Sequence, residues 1–146
     1  MSDQVPVLAG LSLFCRDVPA TVAFYRRLGL AIDDGHPWSG HHIEVPMSAG
    51  LQLEIDSIEL TKAYDKGYRE AGADGSRNVL LFRFPTRDAV DETYAVLTAD
   101  GAPGHLPPTD AFWGARYAVV DDPDGNNVGL MSPIDPAKQS APPDLF

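Results

Sequence analysis

Residues 7–30, VLAGLSLFCRDVPATVAFYRRLGL, set out a strand and a helix in succession. Val7 to Cys15 is apolar and alternating, which suits a strand with one buried face. Asp17 can cap a helix, and Pro19 stands just inside its start, where a missing N–H costs nothing. Val22, Tyr25 and Leu28 follow at helical spacing, and Gly29 is placed to end the helix in the left-handed conformation. Residues 79–101, VLLFRFPTRDAVDETYAVLTADG, repeat the pattern. Val79 to Phe84 reads as a strand, Thr86 as a cap, Val90, Tyr94 and Leu97 as a helical stripe, and Gly101 as its end. A shift of 69 maps Leu11, Leu13, Cys15 and Tyr25 onto Leu80, Phe82, Phe84 and Tyr94, with Val22 against Asp91 as the mismatch. A duplicated unit is implied.

Between the copies, three short strand candidates lie around Leu30 to Asp33, His42 to Val45 and Leu51 to Ile55, separated by Asp34-Gly35, Ser39-Gly40 and Ala49-Gly50. A polar connector with one short helical turn near Tyr64 follows. After the second helix come a loop through Pro107 and Pro108, a strand over Ala115 to Val120, the turn Asp122-Pro123-Asp124-Gly125, and a strand over Asn127 to Met131. The predicted fold class is α+β: two βαβββ modules forming a curved sheet cleft, with the helices on the outer face. The expected organisation is a single domain over 1–133, with modules of about 7–56 and 79–132 and a connector over 57–78. A flexible proline-rich tail over 134–146 completes it.

With 44% hydrophobic residues the 146-residue chain can build one core. The 11 basic and 21 acidic residues give a net charge of −10, a field that repels phosphate backbones, so nucleic acid is excluded as a partner. Cys15 stands alone, which rules out an internal disulfide. No membrane-length apolar run and no signal-peptide pattern is present, and a cytoplasmic protein without membrane partners is expected.

The segment Asp17 to Leu30, with Phe24-Tyr25 and Leu28-Gly29-Leu30, resembles the opening "D…FY…LGL" of the vicinal-oxygen-chelate superfamily, which includes glyoxalase I, extradiol dioxygenases and bleomycin-resistance proteins. Asp122-Pro123-Asp124-Gly125-Asn126 resembles its closing DPDGN hairpin, which by its own mechanics is a turn and carries no chemistry. The resemblance covers residues 7 to 133. It implies a divalent metal held by one ligand from the first strand of each half and a carboxylate from the last strand of each half. Those places fall on Gly10, Val79 and Gly129, which offer no donor; only Glu54, or Gln52 on the same face, keeps ligand chemistry. A catalytic metal needs three or more protein ligands. No metal and no other cofactor is expected. His36, His41 and His42 cluster on a loop with His105 far away, and read as surface histidines.

Alternation turns Ser12, Phe14, Gln52, Glu54, Leu81, Arg83, Tyr117, Val119, Gly129 and Met131 to the open side of the sheet. A glycine in a ligand's place is expected to open space there. Trp38 and Trp113 stand in loops, where flat rings can stack on planar ligands. The predicted ligand-binding residues are Phe14, Trp38, His42, Glu54, Arg83, Phe112, Trp113, Tyr117 and Met131, with Tyr64 and Tyr68 as a further wall. No catalytic residue is assigned. Within the resemblance the chain is most similar to the metal-free bleomycin-resistance branch. That implies a homodimer sequestering a small aromatic molecule, an antibiotic or other natural product, without altering it. The alternative is a glyoxalase- or dioxygenase-like enzyme of the same superfamily, metal-dependent through Glu54 and a histidine, or metal-free with Glu54 or a histidine as base. A cleft filled by its own side chains, with a regulatory role, is a third reading.

Overall fold

The structure is a computed structural model that describes residues 8–65, 68, 70 and 78–142. Two compact units make it up, Met1–Glu70 and Ala71–Phe146. Unit 1 runs β1 (Gly10–Cys15), α1 (Val18–Leu28), β2 (His42–Pro46), β3 (Gln52–Ser57) and α2 (Ile58–Tyr64). Its sheet has the order β1-β3-β2, with β1 parallel and β2 antiparallel to β3. Unit 2 runs β4 (Val79–Arg83), α3 (Arg87–Ala99), β5 (Gly104–Asp110), β6 (Arg116–Asp121) and β7 (Asn127–Met131), with the order β4-β7-β6-β5. The mixed α+β class and the duplication are as expected: β4 starts 69 residues after β1 (79 − 10), and α3 starts 69 after α1 (87 − 18).

Local chemistry places these elements. The Asp17 side chain accepts from the Ala20 N–H at 3.0 Å, and Gly29, at φ 121°, turns the chain out of α1. Thr86 caps α3 through the Ala89 N–H at 3.0 Å. In unit 1, Tyr25, Ile43 and Ile55 are fully buried; in unit 2, Val90, Val120, Val128 and Leu130 are. Each such side chain contributes about 1.5–3 kcal/mol through burial. The repeat mismatch has a reason: Val22 is core, whereas Asp91 receives the Arg116 guanidinium at 2.8 and 3.3 Å, tying α3 to β6.

The expected strand around Leu30 to Asp33 forms no ladder. The Ile32 carbonyl accepts from the Arg26 guanidinium at 2.7 Å, and Asp33 accepts from the Gly35 N–H at 2.9 Å, so side chains take the groups a strand would pair. The opposite correction applies to the proline loop, which is strand β5. It lies at the sheet edge, where Pro107 and Pro108 need donate nothing, and its register against β6 shifts on both sides of Leu106. The connector opens with two turns of helix rather than one, capped by the Ser57 hydroxyl on the Leu60 N–H at 3.0 Å. Connector residues 66, 67, 69 and 71–77 lie outside the described residues, as do tail residues 143–146.

The start of the proline-rich tail is tied to unit 2. The Asp135 N–H donates to the Gly114 carbonyl at 3.0 Å and the Ser140 N–H to the Phe112 carbonyl at 2.8 Å. The DPDGN turn is built as its chemistry requires. Asp122, only 3% exposed, accepts from the Asp124 and Asn126 N–H groups and from the Asn126 side chain, each at 2.9 Å. Among the described residues no helix is long and apolar enough to cross a membrane.

Candidate functional site

On the open face of the unit 1 sheet, strand register brings polar residues into two adjacent rows. Phe14, Asp56 and His42 form one; Ser12, Glu54 and Glu44 form the next. Residues two apart on a strand share a face, so the rows are one surface. Its centre is Asp56, a carboxylate only 3% exposed. His42 Nδ1 lies 2.6 Å from Asp56 Oδ1, and the Tyr64 hydroxyl donates to Asp56 Oδ2 at 3.0 Å. His42 Nε2 stands 3.4 Å from Glu44 Oε1. The hydrogen bond to Asp56 holds the His42 imidazole above its ordinary value of 6.5; partial burial opposes this, and Glu44 reinforces it. Glu54 accepts from the Ser12 hydroxyl at 3.1 Å. Phe14 meets Tyr68 edge to face, with ring centroids 5.3 Å apart.

Beside this surface lies an open cavity of about 490 Å³, lined by Asp33, His36, Trp38, His41, His42, Glu44 and Leu60. Trp38 is 73% exposed. Its carbonyl accepts from the His41 and His42 N–H groups, each at 2.9 Å, so the turn carrying the indole is anchored at its base.

Unit 2 carries the apolar counterpart. Arg83, Met131, Tyr117 and Thr109 form one cross-strand row; Leu81, Gly129, Val119 and Leu106 form the next. Trp113 meets Tyr117 at 5.3 Å between centroids and Phe112 at 5.2 Å, both edge to face. Burial raises the Tyr117 phenol above its ordinary 10.

The predicted binding residues thus separate by unit. Phe14, His42 and Glu54 share the unit 1 face, with Trp38 beside His42 on the cavity wall. Arg83, Phe112, Trp113, Tyr117 and Met131 gather in unit 2. Two expectations change. Tyr64 serves Asp56 through its hydroxyl, while Tyr68 is the tyrosine that walls Phe14. Nor does Gly129 open space. A Cβ there would stand 2.9 Å from Val79 Cγ1, 3.0 Å from Leu81 Cδ1 and 3.3 Å from the Tyr117 hydroxyl, so neighbouring side chains already occupy the place. Asp56 was missed in the sequence, although its spacing from Glu54 is enough to place it on the open face. Leu11 shares the alternation that buries Leu13 and Cys15, yet it is 42% exposed.

Family comparison fits this architecture. A profile of the Glyoxalase/Bleomycin resistance protein/Dioxygenase superfamily matches residues 7–130. The chain belongs to that superfamily. Solved structures of the same fold include a glyoxalase/bleomycin resistance protein/dioxygenase family enzyme from Burkholderia phytofirmans, at 22% identity and a TM-score of 0.71, covering 86% of this chain and 97% of that one. A glyoxalase-related enzyme from Fulvimarina pelagi matches at 21% and 0.72, over 90% and 89% of the two chains. Lactoylglutathione lyase from Agrobacterium tumefaciens matches at 21% and 0.60, over 90% and 96%. No curated protein matches at a significant level.

Membership makes the superfamily's divalent metal the group to test against these residues, and they do not fit it. Gly10, Val79 and Gly129 supply no donor atom, and Val79, Leu81 and Tyr117 crowd the place where a side chain on residue 129 would begin. Among the described residues, no three His, Cys, Asp or Glu side chains are grouped so as to hold a metal ion. Glu54 alone cannot hold a divalent ion against water.

Proposed function

We propose that this superfamily member is a metal-independent binding protein that sequesters a small aromatic ligand, an antibiotic or other natural product, in the manner of a resistance protein. The observation that carries the reading is the filled position at Gly129, beside the aromatic group of Phe112, Trp113 and Tyr117. Carbon stands where the superfamily places its last-strand carboxylate, and the same surface offers ring edges, the flexible Met131 and the Arg83 guanidinium. Such a mix of apolar wall and sparse polar groups suits a planar ligand. A homodimer is part of the proposal, and membranes and nucleic acids are not partners in it. A lyase or dioxygenase of the metal-dependent kind would need donors that these strands lack.

Acridine is a planar probe for this reading. In a Trp38→Phe protein, whose remaining tryptophan is Trp113, acridine is expected to quench the indole fluorescence saturably. Tyr117→Ala should weaken binding by about threefold to tenfold, the size of one lost aromatic contact. Quenching that never saturates, or that ignores Tyr117, would count against the proposal.

A further inference from the structure

The unit 1 cavity has a chemistry of its own, which aromatic sequestration does not use. Its wall combines an exposed indole, Trp38, and an aliphatic side chain, Leu60, with two carboxylates, Asp33 and Glu44. Three histidines share this wall: the His42 ring lies between Asp56 at 2.6 Å and Glu44 at 3.4 Å, His41 Nδ1 stands 2.8 Å from the Ser57 hydroxyl oxygen and 3.8 Å from Glu59, and His36 completes the set. Arg26, in the last turn of α1, is held by Asp34 at 3.0 Å and the Ile32 carbonyl at 2.7 Å. An indole face attracts a cation through its quadrupole, and carboxylates at the rim add Coulomb attraction. The chain's net charge of −10 points the same way. A volume of about 490 Å³ suits a small molecule rather than a peptide.

We propose that this cavity is a binding site for a small organic ammonium ion, with its methyl or methylene groups on Trp38 and Leu60 and its charge facing Glu44 and Asp33. Selectivity follows from the wall. A metal cation would want more oxygens in a tighter shell, whereas a bulky, weakly hydrated ammonium gains from the indole and gives up little water. The site stands or falls apart from the aromatic surface of unit 2.

Choline and 3,3-dimethylbutan-1-ol have the same shape and differ by one charge. Both can be titrated into the Trp113→Phe protein while the Trp38 indole N–H and the amides of residues 33–44 are followed by NMR. Choline should shift these signals saturably and bind about tenfold more tightly than the neutral alcohol. Glu44→Gln should weaken choline severalfold and leave the alcohol unchanged. Trp38→Leu, followed through the amides, should weaken choline most. Equal affinities for the two probes, the absence of any saturable shift, or shifts confined to other residues would overturn the site. None of these outcomes bears on acridine binding, which is read at Trp113.

Discussion

Replacing Gly129 by glutamate, the residue the superfamily uses at that place, is expected to destabilise the protein by about 2 kcal/mol without creating a metal site. The added Cβ meets Val79 Cγ1 at 2.9 Å and Leu81 Cδ1 at 3.0 Å. Leu81 is 52% exposed and can swing aside, but Val79 is stiff at χ1, and the incoming carboxylate is partly desolvated by Leu81 and Tyr117. The gain from replacing a strand glycine, about 0.5–1 kcal/mol, offsets only part of this. Urea denaturation at unchanged m-value measures the loss. Adding Leu81→Ala should recover much of it, because the two positions compete for one space. A Gly129→Glu protein as stable as the parent, or one that acquires a stoichiometric divalent ion, would mean that the place was never filled.

The second large effect centres on Asp56. Asp56→Ala removes the acceptor for Tyr64 and the partner of His42 at a carboxylate only 3% exposed, and is expected to cost about 2–3 kcal/mol near pH 6. The pH dependence has a definite sign. The folded state holds His42 above its unfolded 6.5, so the stabilisation from its protonation is complete below about pH 6.5 and is lost as pH rises through the folded value. The variant lacks that contribution at every pH. Its deficit should therefore shrink between pH 6 and pH 9, and the His42 titration seen by NMR should move down. An equal deficit at both pH values with an unmoved His42 would show that Asp56 acts by packing alone.

The sequence was most readable where a single side chain dictates backbone geometry. Asp17 and Thr86 cap their helices, Gly29 ends one, and Asp122 locks the closing turn, each through bonds its residue type makes almost anywhere. The duplication survived because strand and helix recur at one offset. What failed depended on partners distant in sequence. Nothing in Leu30 to Asp33 announces that Arg26 will take the Ile32 carbonyl, and prolines read as a loop unless the strand is known to be an edge. The tail looked unpatterned, yet Phe112 and Gly114 accept its N–H groups. For the site, alternation groups side chains by row along a strand, but it could not show that Val79 and Leu81 lean across Gly129. Nor could it show that His42, passed over as a metal ligand, would engage a buried carboxylate.

Equilibrium metal analysis tests the account most directly. The purified protein would be dialysed in turn against zinc, nickel, manganese and iron(II), then against metal-free buffer, and its metal content counted per chain. Content far below one ion per chain for all four, and the same in Glu54→Ala, is the predicted result. One retained ion per chain that disappears in Glu54→Ala would contradict it, and would place the protein among the metal-dependent members of its superfamily.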